Sequence, residues 1–146
     1  MKKRLSVGAF MMCNAVVALL AAGILYMFIR KDPFVDILER NFPIFRQMRT
    51  VIYHPLENKS LLGLFVKNQL GDMLWAYSLG CALIVSVGDE KRAAKQATIL
   101  IVVAEFMQLL PFAKSTFDFL DILAELLGVI MAYFVARYKY KVAYES

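Results

Sequence analysis

Asp118, Asp121 and Glu125 stand at i, i+3 and i+7 in the segment "FDFLDILAELLG". On an α-helix those positions share one face, so three carboxylates project together from a stretch otherwise apolar enough to cross a membrane. Glu105 and Gln108 form an i, i+3 pair further up the chain, and Asp72 and Trp75 another. Such groups can cap a helix, share protons, bind a polar or cationic ligand, or hold a hard divalent cation such as Mg²⁺ or Ca²⁺.

Two of the acids have a local explanation. Asp118 follows Ser115 by three residues, an arrangement suited to a helix start. Asp72 sits where a first helical turn is expected, and a negative charge there suits the helix dipole. Glu105 and Glu125 lie too far from any helix end to serve as caps. An acid at that depth costs roughly 2.5–3.5 kcal/mol on insertion scales and points to function. Three ionised carboxylates meeting in a dehydrated site would repel one another, since two unit charges about 4 Å apart cost about 4 kcal/mol at an effective dielectric of about 20. A shared proton or a bound cation would relieve that repulsion.

The elements that must position these acids are membrane spans. Of the 146 residues, 60% are hydrophobic and 20% charged, with a mean hydropathy of +0.59, and the apolar residues come in blocks. Spans are expected at 5–29, 70–87, 97–112 and 117–136, giving an all-α membrane protein, a compact bundle of four transmembrane helices in one domain covering residues 1–146. The first follows Lys2, Lys3 and Arg4 and is longer than the apolar core of a signal peptide. It reads as a retained signal anchor, with cleavage after "ALLAAG" as the alternative. Nine of the 17 Lys and Arg fall at the start, in the 88–96 loop and after Ala136, while the other eight are spread over a greater length. That density places both termini in the cytoplasm. Spans three and four, joined by "PFAKST", must be antiparallel neighbours. Glu105, about 10 Å below the outer end of its helix at 1.5 Å per residue, then meets Glu125 at matching depth. Gly128 continues the acidic face and would let a neighbouring helix approach.

The long connection, residues 30–69, lies outside the membrane on this topology. Asp32 and Pro33 form a helix start, followed by Phe34, Ile37, Leu38 and Phe42 at helical spacing. Pro43 ends that amphipathic, interfacial helix. A second apolar patch, Leu61, Leu62, Leu64 and Phe65, dips into the interface before Asn68 leads into the second span. The connection either caps the bundle or forms a lid.

Several function classes are excluded or disfavoured. The net charge of +5 is scattered at helix ends, without a basic stripe or aromatic platform for nucleic acid, and suits contact with anionic membrane lipids. Cys13 and Cys81 both fall within spans and read as small hydrophobes rather than a disulfide. His54, the only histidine, belongs to no metal-ligand spacing. No phosphate loop or nucleophile elbow is present.

The segments "GDMLWAYSLG", "AEFMQLLP" and "STFDFLDILAELLG" resemble, in order and spacing, the signatures of the VanZ-like membrane proteins, a family named for a teicoplanin-resistance protein. The resemblance covers roughly residues 68–136, about half the chain. Asp72, Glu105 with Gln108, and Phe117, Asp118, Asp121 and Gly128 match the pattern. Many members carry Asp-Lys-x-x-His where this chain has Asp72, Met73 and Ala76, so no histidine relay carries over. Many carry Asn where Glu125 stands. The resemblance implies a multi-pass protein of the bacterial cytoplasmic membrane linked to glycopeptide susceptibility, without a molecular activity. Asp72, Glu105, Gln108, Asp118, Asp121 and Glu125 are thus candidates for an outward-facing pocket for a cationic or polar cell-envelope ligand, a lipid or glycopeptide, or for a proton-coupled translocation step. The alternatives are a divalent-cation-dependent enzyme acting on lipid-linked envelope intermediates, and a non-enzymatic scaffold of an envelope complex.

Overall fold

The computed structural model describes residues 2–29, 33–53, 61–108 and 118–145, which form seven helices and no strand. They are α1 (Lys2–Ile29), α2 (Pro33–Asn41), α3 (Pro43–Tyr53), α4 (Leu61–Asn68), α5 (Leu70–Val87), α6 (Glu90–Gln108) and α7 (Phe119–Glu145). Three are long and apolar enough to cross a membrane, over Ser6–Ile29, Leu70–Val87 and Phe119–Glu145. Length and composition therefore mark the chain as a membrane protein. The expected span at 97–112 is not among the three. The helix there starts earlier, at Glu90, and its first turns carry Glu90, Lys91, Arg92 and Lys95, while 109–112 lie outside the described residues.

α5 is the centre of the bundle, packed against α1, α7, α6 and α4. Its contact with α7 is made by small residues, because lipid offers no hydrophobic drive for association and close van der Waals packing must supply it. A Cβ at Gly128 would overlap the Met73 carbonyl oxygen and lie 2.9 Å from the Tyr77 amide nitrogen. Nearby, Ala76, Gly80, Ala124 and Ala132 are buried. The close approach expected at Gly128 is thus made to α5. The α1–α5 contact adds polar bonds. The Ser78 hydroxyl donates to the Ala15 carbonyl at 2.7 Å, and the Tyr77 hydroxyl to Asn14 Oδ1 at 3.1 Å.

One end of the bundle gathers Val7 of α1, Ala93 of α6 and Ala136 of α7 in a single apolar cluster, with Tyr140 and Ala143 packed on it. The turn at this end joins α5 to α6. Gly88 adopts φ 72°, a left-handed conformation that glycine enters without strain. Asp89 Oδ1 then accepts from the Lys91 and Arg92 amides, both at 3.0 Å, and starts α6. These bonds hold the Asp89 carboxyl below the usual carboxylate range, the Arg92 amide acting most strongly. Lys139 sits 4.4 Å from the centroid of the Phe10 ring, so the end of α7 meets the start of α1. α7 also continues well past Ala136, as a helix rather than a tail.

Among its described residues the 30–69 connection holds three helices, where one helix and a dip were expected. α2 ends before Pro43, which has no amide hydrogen to extend it. Pro43 instead opens α3, a position where its missing donor costs nothing. A Glu39–Arg49 ion pair clamps α2 to α3, with Arg49 buried. The Phe28 and Phe45 rings, 5.3 Å apart, dock α3 on the end of α1. Ile37, Phe42, Ile44, Met48 and Val51 remain exposed, an apolar face suited to the membrane interface. α4 runs almost directly into α5, since the Gln69 amide bonds to Phe65 and the Met73 amide to Gln69. Asp32, His54 and the 111–116 link lie outside the described residues, as do the side chains of Phe34, Leu61 and Leu62.

Candidate functional site

At the end of the bundle opposite the Gly88 turn, a cavity of about 480 Å³ opens among five helices. α5 contributes Asp72 and Trp75 from its first two turns, and α6 contributes Glu105 and Gln108 from its last two. α7 supplies Glu125, α4 supplies Lys67 and Asn68, and α1 supplies a wall from Leu19 to Met27 that includes Tyr26.

Four of the six candidate residues therefore line one cavity: Asp72, Glu105, Gln108 and Glu125. Glu105 and Glu125 are each only 5% exposed. Gln108 Nε2 donates to Glu105 Oε1 at 2.6 Å, the i, i+3 contact that helical spacing anticipates. Glu125 Oε2 is buried and has no hydrogen-bond partner among the described residues. Asp121 is half-buried in the first turn of α7 and does not line the cavity.

Asp118 has a different place. Its side chain is exposed, and its Oδ1 accepts from the Leu120 amide at 2.9 Å. That is the bond of a helix N-cap. The capping alternative thus describes its contacts, although the partner expected for it, Ser115, lies outside the described residues, as does Phe117.

No family model, curated protein or solved structure matches this chain.

The site includes residues that the sequence pattern did not single out. α1 is apolar around its whole circumference, so no stripe of residues distinguishes the face bearing Leu19, Tyr26 and Met27. Lys67 and Asn68 stand at the α4–α5 junction, where Asn68 read only as the entry to a span. Both arrive by tertiary packing, and only the proximity of Lys67 to Asp72 in the chain could have hinted at it. Cys13 and Cys81 are both free thiols. Among the described residues, no group of three or more His, Cys, Asp or Glu is arranged to hold a metal ion. The chemistry available among the described residues is acid–base and electrostatic: a cluster of carboxylates, two amides (Asn68 and Gln108) and one lysine around an aromatic-edged space.

Proposed function

We propose that this chain is a VanZ-like protein of the bacterial cytoplasmic membrane that binds a cell-envelope ligand in an outward-facing acidic pocket and so affects glycopeptide (teicoplanin) susceptibility. The family part rests on the order and spacing of the residues around Asp72, Glu105 and Asp118. The pocket part rests on one observation. Glu105 and Glu125, each about nineteen-twentieths buried, come from different helices and face the same cavity beside Asp72. Burying charge without a purpose is disfavoured in lipid, where insertion of a single acid already costs roughly 2.5–3.5 kcal/mol.

α6 is the fourth span in this reading. Its early residue Ala93 packs in the apolar cluster at the Gly88 end, and Glu105 reaches the cavity at the other end. Along the helix Ile99, Leu100, Val103, Phe106 and Met107 are exposed and apolar, as a lipid-facing surface must be. The gathering of Val7, Ala93 and Ala136 at one end supports both termini lying on one side. The high density of Lys and Arg makes that side the cytoplasm.

The test is a set of neutral isosteres. Glu105→Gln and Glu125→Gln remove charge and keep shape, so both variants should fold and melt at or above the wild-type temperature while losing the glycopeptide-susceptibility phenotype. Wild-type phenotype in both variants, at equal membrane abundance, would sink the pocket. A scaffold role predicts that outcome.

A further inference from the structure

We propose that the cavity binds an ammonium group carried on an apolar body, an amphiphilic amine. The inference rests on the reading of this cavity as a binding site and names the chemistry it selects. Glu125 is the first argument. Glu125 lines the cavity and its buried Oε2 has no hydrogen-bond partner among the described residues, whereas buried acceptors in folded proteins are paired. A donor brought by a ligand would complete it.

Charge gives the sign. Among the described residues, Asp72, Glu105 and Glu125 line the space with Lys67 as the one base. The shape of the cluster favours an organic cation over a metal ion. Its carboxylates line a cavity of about 480 Å³, and among the described residues no acids are grouped so as to hold a metal ion. Trp75 and Tyr26 line the same cavity, and aromatic faces attract ammonium groups through the ring quadrupole. A volume in the ordinary range for small-molecule sites has room for more than the head group.

The apolar body follows from the remaining walls. Leu19, Leu25 and Met27 of α1 form one side. α1 packs on α5 and α7, and α6 packs on the same two helices, but α1 and α6 are not a closely packed pair. The cavity therefore occupies a cleft between α1 and α6, and an amphiphile can enter it sideways from the lipid with its ammonium leading toward Glu125.

Trp75 is the chain's only tryptophan, so its fluorescence reports directly on the cavity. The full-length protein, purified in a maltoside detergent that carries no ammonium, is titrated with hexylammonium, hexyl sulfate or Mg²⁺. Phosphatidylethanolamine added to the micelles forms a separate arm that distinguishes a lipid head group from a free amine. Hexylammonium, the ethanolamine lipid, or both should change Trp75 emission saturably, and hexyl sulfate should not. Glu125→Gln should weaken that response about tenfold or more, the loss of one charge-assisted hydrogen bond. Glu105→Gln provides the second variant should the first fail to fold, and Trp75→Phe should abolish the signal. No saturable response to either ammonium source, an equal response to hexyl sulfate, a response to Mg²⁺ alone, or an unchanged response in both Gln variants would overturn the inference. If amine binding fails while Glu105→Gln and Glu125→Gln still lose the cellular phenotype, the pocket stands and the ligand class falls. If those variants are silent in cells, the underlying reading falls whatever the fluorescence does.

Discussion

Single residues decide how closely the helices approach, and the clearest case is Gly128. Its missing side chain is what lets α7 lie against the backbone of α5 at Met73 and Tyr77. Because the obstacle is backbone, it cannot move aside as a flexible side chain would. Gly128→Ala should therefore destabilise the protein by about 1–3 kcal/mol, the usual cost of overpacking. Gly23→Ala, where nothing lies within 4 Å, serves as the control. Thermal melting of both variants in detergent checks the contrast, and equal melting temperatures would contradict it. The role of Gly128 was legible in the sequence because it continues the face of Asp118, Asp121 and Glu125. The proximity of Glu105 and Glu125 was legible too, from the short link that makes their helices neighbours. The polar bond from Ser78 to Ala15 was not, since a serine inside an apolar run carries no mark of whether its hydroxyl turns back to its own helix or reaches another.

At the scale of elements, local chemistry explains the helix boundaries well. Asp89 starts α6 through its two amide bonds, which favour its ionised form. A carboxyl lowered in the folded state contributes stability above its unfolded pKa, near 3.9, and that contribution is lost as pH falls through the folded value. Wild-type protein should thus lose thermal stability more steeply than Asp89→Asn as pH drops below about 4, because Asn caps the helix without titrating. Parallel melting curves across that range would remove the charge from the account. The α2–α3 hairpin is a second case. Pro43 was readable as the end of α2, but α3 went unread although Ile44, Met48 and Val51 recur at i, i+4 and i+7. A proline that stops one helix and starts another leaves the same mark in the sequence as one that leads into a loop. Their exposed apolar face suits the membrane interface. Ile44→Glu with Val51→Glu should weaken lipid protection of α3 in hydrogen exchange while leaving insertion of the chain intact. Unchanged protection would mean that this face does not touch lipid.

For the whole molecule, the question is how many times the chain crosses the membrane, and parity constrains it. Val7 near the start of α1, Ala93 near the start of α6 and Ala136 late in α7 share one apolar cluster. Leu25 near the end of α1, Asp72 near the start of α5, Gln108 at the end of α6 and Glu125 early in α7 share the cavity at the other end. α1, α5, α6 and α7 therefore each run from one end of the bundle to the other. α6 reads poorly by hydropathy because its first turns hold Glu90, Lys91, Arg92 and Lys95, yet these residues belong to the end where the interface would lie, and long basic side chains can reach it. If only α1, α5 and α7 crossed, the end of α7 could not return to the side where α1 begins. The proposed topology counts this geometry as four crossings, with the shared end assigned to the cytoplasm from the density of Lys and Arg. Reporter fusions after Asn58 and after Glu90 should accordingly report opposite faces of the membrane, outside and inside. A third fusion after Glu145 should agree with the one after Glu90. If the fusions after Asn58 and Glu90 report the same face, α5 does not cross, and the acids of the cavity no longer lie within a membrane-spanning bundle. If only the fusion after Glu145 changes face, α6 does not cross as proposed, and Glu105 and Glu125 would have to meet by another route.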